Sequence, residues 1–246
     1  MNLLSESIKV PLFVEVIGEP SSGKTHIGCL FPKPAIFDST PKKESYVVIK
    51  KLYPDWKRRH FPIRCFKDIR DGLIFLSKAE NANEFKTAVF DTSADLRVLG
   101  SREYLKELSA AGKERQALLP VEYKWVNEKI DAVIDKITSE MGMNLVFTSQ
   151  MRDEWGTDSK PTGRRIRKGY PDANFQADIR LFLQITKKLD TKTMQYIEGE
   201  FERKCTVLKN RFRDQANKEE WVSDLKDLSW EGIKKLTKLE VGEVVE

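Results

Sequence analysis

The sequence predicts an α/β fold with a mostly parallel sheet, helices on both faces and a C-terminal antiparallel extension. A glycine-rich turn joins an apolar strand to a helix close to the N-terminus. Further apolar strands ending in polar residues alternate with segments of helical periodicity, which is typical of parallel sheets. Closely spaced strand patterns from residue 179 onward predict the antiparallel part. We therefore assign residues 1–213 to one α/β domain and residues 214–246 to a C-terminal helical tail.

The composition indicates a folded intracellular protein. Hydrophobic residues make up 40% of the 246 positions, which suffices for a core, and the net charge of +5 is modest. Cys29, Cys65 and Cys205 are far apart and lack metal-ligand spacing, so we expect reduced thiols. No apolar run approaches the roughly 20 residues of a membrane span, and no signal sequence is recognisable at the N-terminus. We expect a cytoplasmic protein, in a host cell if it is virally encoded, with no membrane partner.

The glycine-rich turn, residues 18–25, fits the phosphate-loop pattern G-x-x-x-x-G-K-[ST]. An apolar strand over 12–17 precedes it, and a helix begins directly after it. Backbone N–H groups of such a turn and the N-terminus of its helix together bind phosphate. The pattern predicts that Lys24 reaches the β- and γ-phosphates of a nucleoside triphosphate and that Thr25 ligates Mg²⁺. The predicted phosphate-binding residues are Gly18, Glu19, Pro20, Ser21, Ser22, Gly23, Lys24, Thr25 and His26.

Two further strands, over 34–38 and 87–91, end in an acidic residue. Because the carboxyl ends of parallel strands face the ligand crevice, we expect Asp38 and Asp91 near the nucleotide. Asp91 follows an apolar strand downstream of the phosphate loop, as in a Walker B motif. It is predicted to hold the hydration shell of Mg²⁺.

The segments between and after these strands carry weaker signals. Residues 39–60 show little secondary-structure preference. Further elements are predicted as strands over 61–66 and 144–150 and as helices over 67–80, over 93–119 and from Pro120 to Gly142. Gln150, at the end of its strand, is either a sensor of the γ-phosphate or an ordinary polar strand terminus.

Residues 151–177 are rich in cations, glycine and proline, which predicts a long irregular loop. Loops of this length are usually functional or mobile. Trp155, Tyr170 and Phe175 are interleaved with the cations, and this mixture suits single-stranded nucleic acid through phosphate neutralisation and base stacking. The alternatives are a solvated loop or a lid over the nucleotide. The candidate nucleic-acid residues are Arg152, Lys160, Arg164, Arg165, Arg167 and Lys168.

The remaining strands are predicted as a meander over 179–186, 194–197 and 204–208. Residues 187–190 read Lys-Lys-Leu-Asp and miss the guanine-reading motif [NT]-K-x-D at its first position, which favours ATP over GTP. A Lys-Asn-Arg segment, residues 209–211, follows the last strand and precedes the helical tail.

This order of motifs resembles the RecA-like ATPase core. More narrowly, it resembles the short phage-type nucleotide-binding proteins, some of which act as recombination or single-strand annealing ATPases. The resemblance covers roughly residues 10–213. In RecA-like proteins the cations of the Lys-Asn-Arg segment reach the γ-phosphate bound by the neighbouring subunit. The resemblance therefore implies this role for Lys209 and Arg211, and self-association into a ring or filament.

The chain departs from related patterns at two places. RecA-like proteins carry a catalytic Glu shortly after the second strand, whereas residues 39–41 are Ser-Thr-Pro here, which leaves Glu44 or Asp38 as the candidate base. Thr92 follows Asp91 where AAA+ machines usually carry Glu, and this argues against that branch.

The sequence thus predicts an oligomeric protein that binds and hydrolyses ATP with Mg²⁺ and acts on single-stranded DNA in recombination, annealing or replication. One alternative is a small-molecule kinase of the nucleoside type, with the basic loop as its lid. Another is a non-catalytic module in which nucleotide orders an assembly interface. The candidate catalytic residues are Lys24, Glu44, Asp38, Asp91, Gln150, Lys209 and Arg211.

Overall fold

The structure is a computed structural model that describes residues 11–40, 44–155, 157, 160–189, 196–212, 223–224 and 228–237. The strands are β1 (Phe13–Gly18), β2 (Pro34–Asp38), β3 (His60–Pro62), β4 (Thr87–Asp91), β5 (Asn144–Trp155), β6 (Pro161–Lys168), β7 (Ile179–Leu189), β8 (Tyr196–Asn210) and β9 (Ser223–Asp224). The helices are α1 (Lys24–Cys29), α2 (Glu44–Leu52), α3 (Trp56–Arg59), α4 (Phe66–Ser77), α5 (Ser93–Ala110), α6 (Tyr123–Asp135), α7 (Ala173–Gln176) and α8 (Trp230–Thr237). Within these ranges none of the helices combines the length and the apolar character that crossing a membrane requires.

All strands belong to one sheet in the order β3-β2-β4-β5-β1-β7-β8-β9, with β6 paired to β5 outside that path. The strands from β3 to β7 in this order run parallel to one another. The strands β6, β8 and β9 pair antiparallel with their neighbours. The predicted α/β fold class, with a mostly parallel sheet and a C-terminal antiparallel extension, is confirmed.

The parallel register brings polar residues together at one edge of the sheet. Gly18 pairs with Gln150 across β1 and β5, and Asp38 pairs with Asp91 across β2 and β4. A single strand, β5, separates the strand of the phosphate loop from the acid-ended strand β4. Because the carboxyl ends of these strands lie at the same side of the sheet, their terminal residues lie on the side that carries the phosphate loop.

Helices cover both faces of the sheet, as predicted. On one face, buried residues of α4, α5 and α6 share a core with Phe37, Phe90 and Phe147. The rings of Phe37 and Phe90 are stacked, and those of Phe90 and Phe147 meet edge to face. On the other face, α1, α2 and α8 form a second core with aliphatic residues of the central strands. Alternation along β1 explains the division, because Phe13 belongs to the first core and Val14 to the second.

Two apolar residues within the predicted helical segments are exposed. Ile74 is 60% exposed because the buried side of α4 is formed by Ile69, Leu73 and Leu76. Val121 is 76% exposed because it lies in a short 3₁₀ turn before α6 and not on the helix itself.

The predicted irregular loop over 151–177 is wrong for most of its length. The strand β5 continues past Gln150 to Trp155 and pairs with β6, so the basic segment is largely a β-hairpin, followed by α7. Charged residues are weak strand formers, yet a strand ladder is held by backbone hydrogen bonds that need no particular side chain. We call residues 144–168 the β5–β6 hairpin.

Two other parts of the prediction also change. Residues 44–52 form α2, although the β-branched run Val47-Val48-Ile49 is unfavourable in helices and masks the helical pattern. Residues 196–197 and 204–208 of the two predicted strands are parts of one strand, β8, which pairs along β7, and residues 194–195 lie outside the described part of the chain.

The described part of residues 214–246 comprises β9 and α8, and both pack on the domain. β9 pairs with β8. Ile233 of α8 is fully buried in the second core, and the ring of Trp230 lies 5.0 Å from that of Phe31. The predicted helix is therefore present in α8, and it is anchored to the sheet. The boundary at residue 213 stays a prediction.

Candidate nucleotide-binding site

The turn after β1 adopts a conformation that requires glycine at two positions. The backbone of Gly23 is left-handed, with φ of 100°, and Ser21 also has a positive φ of 62°. A Cβ at Gly18 would lie 2.6 Å from Ser22 Oγ and 2.7 Å from the carbonyl oxygen of Leu183, so no side chain fits there. Turns of this kind present successive backbone N–H groups to an anion.

Two buried polar groups of the loop show that it fits a phosphate chain. Lys24 is only 8% exposed, and its Nζ donates a hydrogen bond across the loop to the carbonyl oxygen of Glu19. The hydroxyl oxygen of Ser22 is buried and has no hydrogen-bond partner among the described residues. Buried polar atoms normally have partners, and phosphate oxygens would supply one here.

Asp91 and Thr25 form the predicted pair for a metal ion. Thr25 Oγ1 donates to Asp91 Oδ2 over 2.7 Å, and Ser45 Oγ donates to the same oxygen over 3.0 Å. The other oxygen, Oδ1, accepts a hydrogen bond from Thr148. The described residues contain no group of three or more His, Cys, Asp or Glu side chains that could hold a metal ion by themselves. A hydroxyl and a carboxylate suit Mg²⁺, which keeps several water ligands and takes others from phosphate.

A cavity of about 910 Å³ lies over the phosphate loop and the Thr25–Asp91 pair. The predicted γ-phosphate sensor Gln150 lines it. One wall is apolar and is formed by side chains of α1 and α2 together with Leu228. The apolar residues in this lining are Ile27, Leu30, Val48, Leu52 and Leu228. The cavity therefore combines a phosphate end with a wall that suits a nucleobase.

Arg203 also lines this cavity and was missed by the sequence analysis. Its Nε lies 3.7 Å from the point that a Cβ on Gly23 would occupy. Its position follows from the register, because Arg203 pairs with Ile185, two residues beyond Leu183, which pairs with Gly18. In the sequence, Arg203 lies between two short predicted strands, and no motif around it connects it to the phosphate loop.

Asp38, one of the two candidate bases, is buried and already engaged. Thr40 donates to its Oδ1 through both the backbone N–H and the hydroxyl, and His60 Nε2 lies 3.0 Å from Oδ2. Burial alone would raise the pKa of Asp38, but hydrogen bonds from His60, Thr40 and Ser45 outweigh it and hold this pKa below its usual value. Asp38 lines a second cavity and not the nucleotide cavity.

Glu44, the other candidate base, is the first residue of α2, and its side chain lies outside the described part of the chain. The next residue, Ser45, is buried and contacts Asp91. The backbone of Glu44 therefore begins its helix directly beside the metal pair.

Lys209 and Arg211 lie away from the nucleotide cavity of their own chain. Lys209 Nζ donates to the carbonyl oxygens of Asn174 and Phe175, and Arg211 forms an ion pair of 2.7 Å with Asp178. Burial and the neighbouring Arg211 lower the pKa of Lys209. The pairing of Arg180 with Lys209 puts both cations at the end of β7 and β8 that is opposite the phosphate loop.

The cations of the β5–β6 hairpin fall into two groups. Arg167 forms an ion pair with the fully buried Glu15, which also receives Arg180, and Arg165 pairs with Glu19 of the phosphate loop. These two arginines are thus engaged within the chain. The exposed candidates are Arg152, Lys160, Arg164 and Lys168.

Fold and site together define a P-loop NTPase domain. The phosphate loop follows the first strand, the hydroxyl–carboxylate pair lies beside it, and one strand separates the two strands that carry them. A model of the family AAA_24, described as "AAA domain", matches residues 11–212, and the chain belongs to that family. Thr92 in place of Glu therefore does not exclude membership of an AAA family.

Comparisons with individual proteins add little. No curated protein matches the chain. Among solved structures it is similar to the "Crystal structure of the RadB recombinase", with a TM-score of 0.47 and 15% identity over 84% of each chain. That likeness is too distant to carry an argument about function. Fold and family support the predicted P-loop core. The RecA-like type of that core and the narrower resemblance to phage-type annealing ATPases stay predictions.

Proposed function

We propose that this protein binds and hydrolyses ATP with Mg²⁺, and that it does so as an oligomer acting on single-stranded DNA. The observation that carries the proposal is the convergence of Lys24, Thr25 and Asp91 beneath one cavity of about 910 Å³. ATP is favoured over GTP because residues 187–190 miss the guanine-reading motif.

Each residue of the convergence has a role that its position supports. Lys24 exchanges the Glu19 carbonyl for phosphate oxygens, and the loop amides bind the same phosphates. Thr25 and Asp91 hold Mg²⁺, which neutralises the charge that develops on the phosphates. Gln150 lines the cavity and orients the attacking water or contacts the γ-phosphate.

We assign the base to Glu44 in preference to Asp38. A carboxylate whose pKa is lowered by three donor residues is a weak proton acceptor, and Asp38 is in that state. Glu44 directly precedes Ser45, which touches Asp91, so the start of α2 is next to the metal pair. Ser45 would thus hold the start of α2 against the site.

The β5–β6 hairpin is the proposed site for single-stranded DNA. Gln150 and Lys168 are directly paired, as are Arg152 and Ile166, so these residues share one face of the hairpin. Arg164 follows on β6, where the register with β5 shifts, and its side chain is exposed. The face starts at the nucleotide cavity through Gln150 and ends near Trp155, which is 65% exposed. Exposed cations and an exposed aromatic ring suit phosphates and bases.

Self-association follows from the trans role proposed for Lys209 and Arg211. Within one chain Lys209 lies near the C-terminal end of β8 and Arg211 just after it, and neither lines the cavity that Arg203 reaches from the middle of the strand. Any contact of these two cations with nucleotide would therefore come from a second copy. Contact between one end of a subunit and the other end of the next is a head-to-tail interface, which produces rings or filaments. The proposed setting is recombination, annealing or replication.

A small-molecule kinase is the second candidate, and the second cavity favours it. This cavity of about 520 Å³ shares Thr40 with the nucleotide cavity and is lined by Asp38, Arg64 and Arg102. An acceptor carrying a phosphate would suit the two arginines and would lie beside the γ-phosphate end of the site.

One assay separates these functions. ATP turnover is measured with and without single-stranded DNA over a series of protein concentrations, with a duplex of the same sequence as the control. We expect Mg²⁺-dependent turnover that rises per chain with concentration and is stimulated by the single strand. ATP binding without turnover would favour the non-catalytic module. Transfer of phosphate to added nucleosides or nucleoside monophosphates, independent of DNA, would favour the kinase.

A further inference from the structure

We propose that Arg203 binds the terminal phosphates of ATP in the same chain, and that each site thereby contains its own arginine before any neighbour contributes. The inference rests on the proposed ATP site. It adds a contact from β8 to a site in which the phosphate loop follows β1 and Asp91 ends β4.

The position of Arg203 is the first argument. Its guanidinium group lies over the turn residue Gly23, with Nε 3.7 Å from the point that a Cβ would take. It lines the same cavity as Lys24 and Gln150. Backbone groups at this turn bind the terminal phosphates in a phosphate loop, so the guanidinium is directed at the place where negative charge will lie.

The guanidinium group of Arg203 also has no partner among the described residues. Arg203 makes no ion pair and no hydrogen bond from its side chain to the described residues. Other arginines around the loop are engaged, since Arg165 pairs with Glu19 and both Arg167 and Arg180 pair with Glu15. A planar guanidinium group binds phosphate with two parallel hydrogen bonds, which makes it a specific ligand for such a group.

The pairing of β8 with β7 and of β7 with β1 places Arg203 at the phosphate loop of its own chain. β8 pairs with β7, and β7 pairs with β1, the strand that leads into the phosphate loop. Arg203 reaches Gly23 through this continuous ladder without a second copy. A cation in this position stabilises the charge of phosphoryl transfer in the way that an arginine supplied in cis does.

The test compares Arg203→Ala with Lys204→Ala. Lys204 is exposed, lies next to Arg203 on β8 and points to the other face of the strand, so its replacement removes the same charge outside the cavity. Binding of a non-hydrolysable ATP analogue is measured for both variants by titration. We expect Arg203→Ala to bind roughly tenfold to a hundredfold more weakly, as for loss of a charge-assisted hydrogen bond, and Lys204→Ala to bind like the wild type. Arg203→Lys, which keeps the charge but loses the fork, should fall between them.

Turnover provides a second readout that reports whether the contact is within the chain. Arg203→Ala is mixed with Lys24→Ala under conditions in which mixed oligomers form. No site in the mixture then carries both an intact Lys24 and an intact Arg203, so turnover should stay at the sum of the two variants. Regained turnover would show that Arg203 acts across subunits and would overturn the inference.

The outcomes distinguish this inference from the function it rests on. If Arg203→Ala binds the analogue as tightly as Lys204→Ala and the wild type, the contact does not exist, whatever the turnover. If the wild-type protein does not bind the analogue, the ATP site itself fails. If it binds but does not hydrolyse ATP, the binding comparison still tests Arg203. Melting temperatures without nucleotide should agree among the variants, because both side chains are exposed.

Discussion

The middle of β8 and its C-terminal end carry cations with different reach. In the middle, Arg203 lies over the phosphate loop of its own chain and makes no side-chain ion pair with the described residues. At the C-terminal end and just after it, Lys209 and Arg211 bind carbonyl groups of α7, and Arg211 pairs with Asp178. This difference suggests that one long strand can supply cations to two different nucleotide sites. The middle of the strand reaches the site of its own chain, and the C-terminal end lies away from that site.

Arg203 and Arg211 also differ in whether their charge is already paired within the chain. An exposed arginine without a partner gains by contact with phosphate at no cost in broken pairs. Arg211 must exchange Asp178 and two carbonyl oxygens for a phosphate, so its contribution depends on a neighbour that arranges the exchange. We therefore expect Arg203 to govern nucleotide binding, and Lys209 and Arg211 to govern turnover in the assembled state.

The largest effect should come from Lys24→Ala, which tests the nucleotide site that Arg203 would serve within the chain and Arg211 across an interface. Lys24 is buried against the loop and touches Glu19, so its loss removes the central cation of the site. We expect turnover to fall below detection, with little change in the melting temperature without nucleotide. Lys78→Ala is the matched control, because Lys78 is exposed after α4 and does not line the cavity. Turnover that survives in Lys24→Ala would mean that the phosphate loop is assigned wrongly.

The next effect concerns the C-terminal end of β8. Arg211→Ala should bind ATP nearly normally and hydrolyse it on the order of a thousandfold more slowly, as expected for loss of an arginine finger. A mixture with Lys24→Ala should recover turnover, because an intact phosphate loop then meets an intact Arg211 across an interface. The same mixing experiment with Arg203→Ala should show no recovery. The two mixtures together therefore distinguish the role of Arg203 within the chain from that of Arg211 across subunits. A mixture that stays inactive although mixed oligomers form, or wild-type activity per chain that persists down to the monomer, would contradict the trans role.

The parallel core was largely predictable from the sequence, and the β5–β6 hairpin was not. The strands over 34–38 and 87–91 have the predicted bounds, because an apolar run that ends in an acid is a local signal. The phosphate loop carries its own pattern, and the structure places Thr25 and Asp91, each predicted to serve Mg²⁺, in contact with each other.

Arg203 shows why part of the site could not be predicted. Its place over Gly23 depends on two registers, of β7 with β1 and of β8 with β7, and neither is encoded by residues near position 203. Register is set by which face is buried along the whole strand. The charged β5–β6 hairpin was missed for a related reason, since the hydrogen bonds that form it belong to the backbone.

The smallest expected effect separates the two groups of cations on the β5–β6 hairpin. Replacing the exposed Arg152, Arg164 and Lys168 with Ala should weaken single-strand binding and reduce the salt slope by about 2, at about 0.7 per lost phosphate contact. A control that replaces three exposed lysines elsewhere, Lys78, Lys106 and Lys113, removes the same charge and should leave the slope unchanged.

The engaged cations of the hairpin should respond differently. Arg167→Ala leaves the fully buried Glu15 with only part of its compensation, so we expect a lower melting temperature and a loss of stability of about 3 kcal/mol, at the low end for a broken buried pair because Arg180 and Ser149 still contact Glu15. Its effect on the salt slope should be small, because this guanidinium group is already neutralised inside the chain. A salt slope that ignores the exposed triple but follows Arg167 would reverse the assignment of the two groups. An unchanged slope in both would favour a role for the hairpin at the nucleotide cavity, where Gln150 and Arg165 already connect it to the phosphate loop.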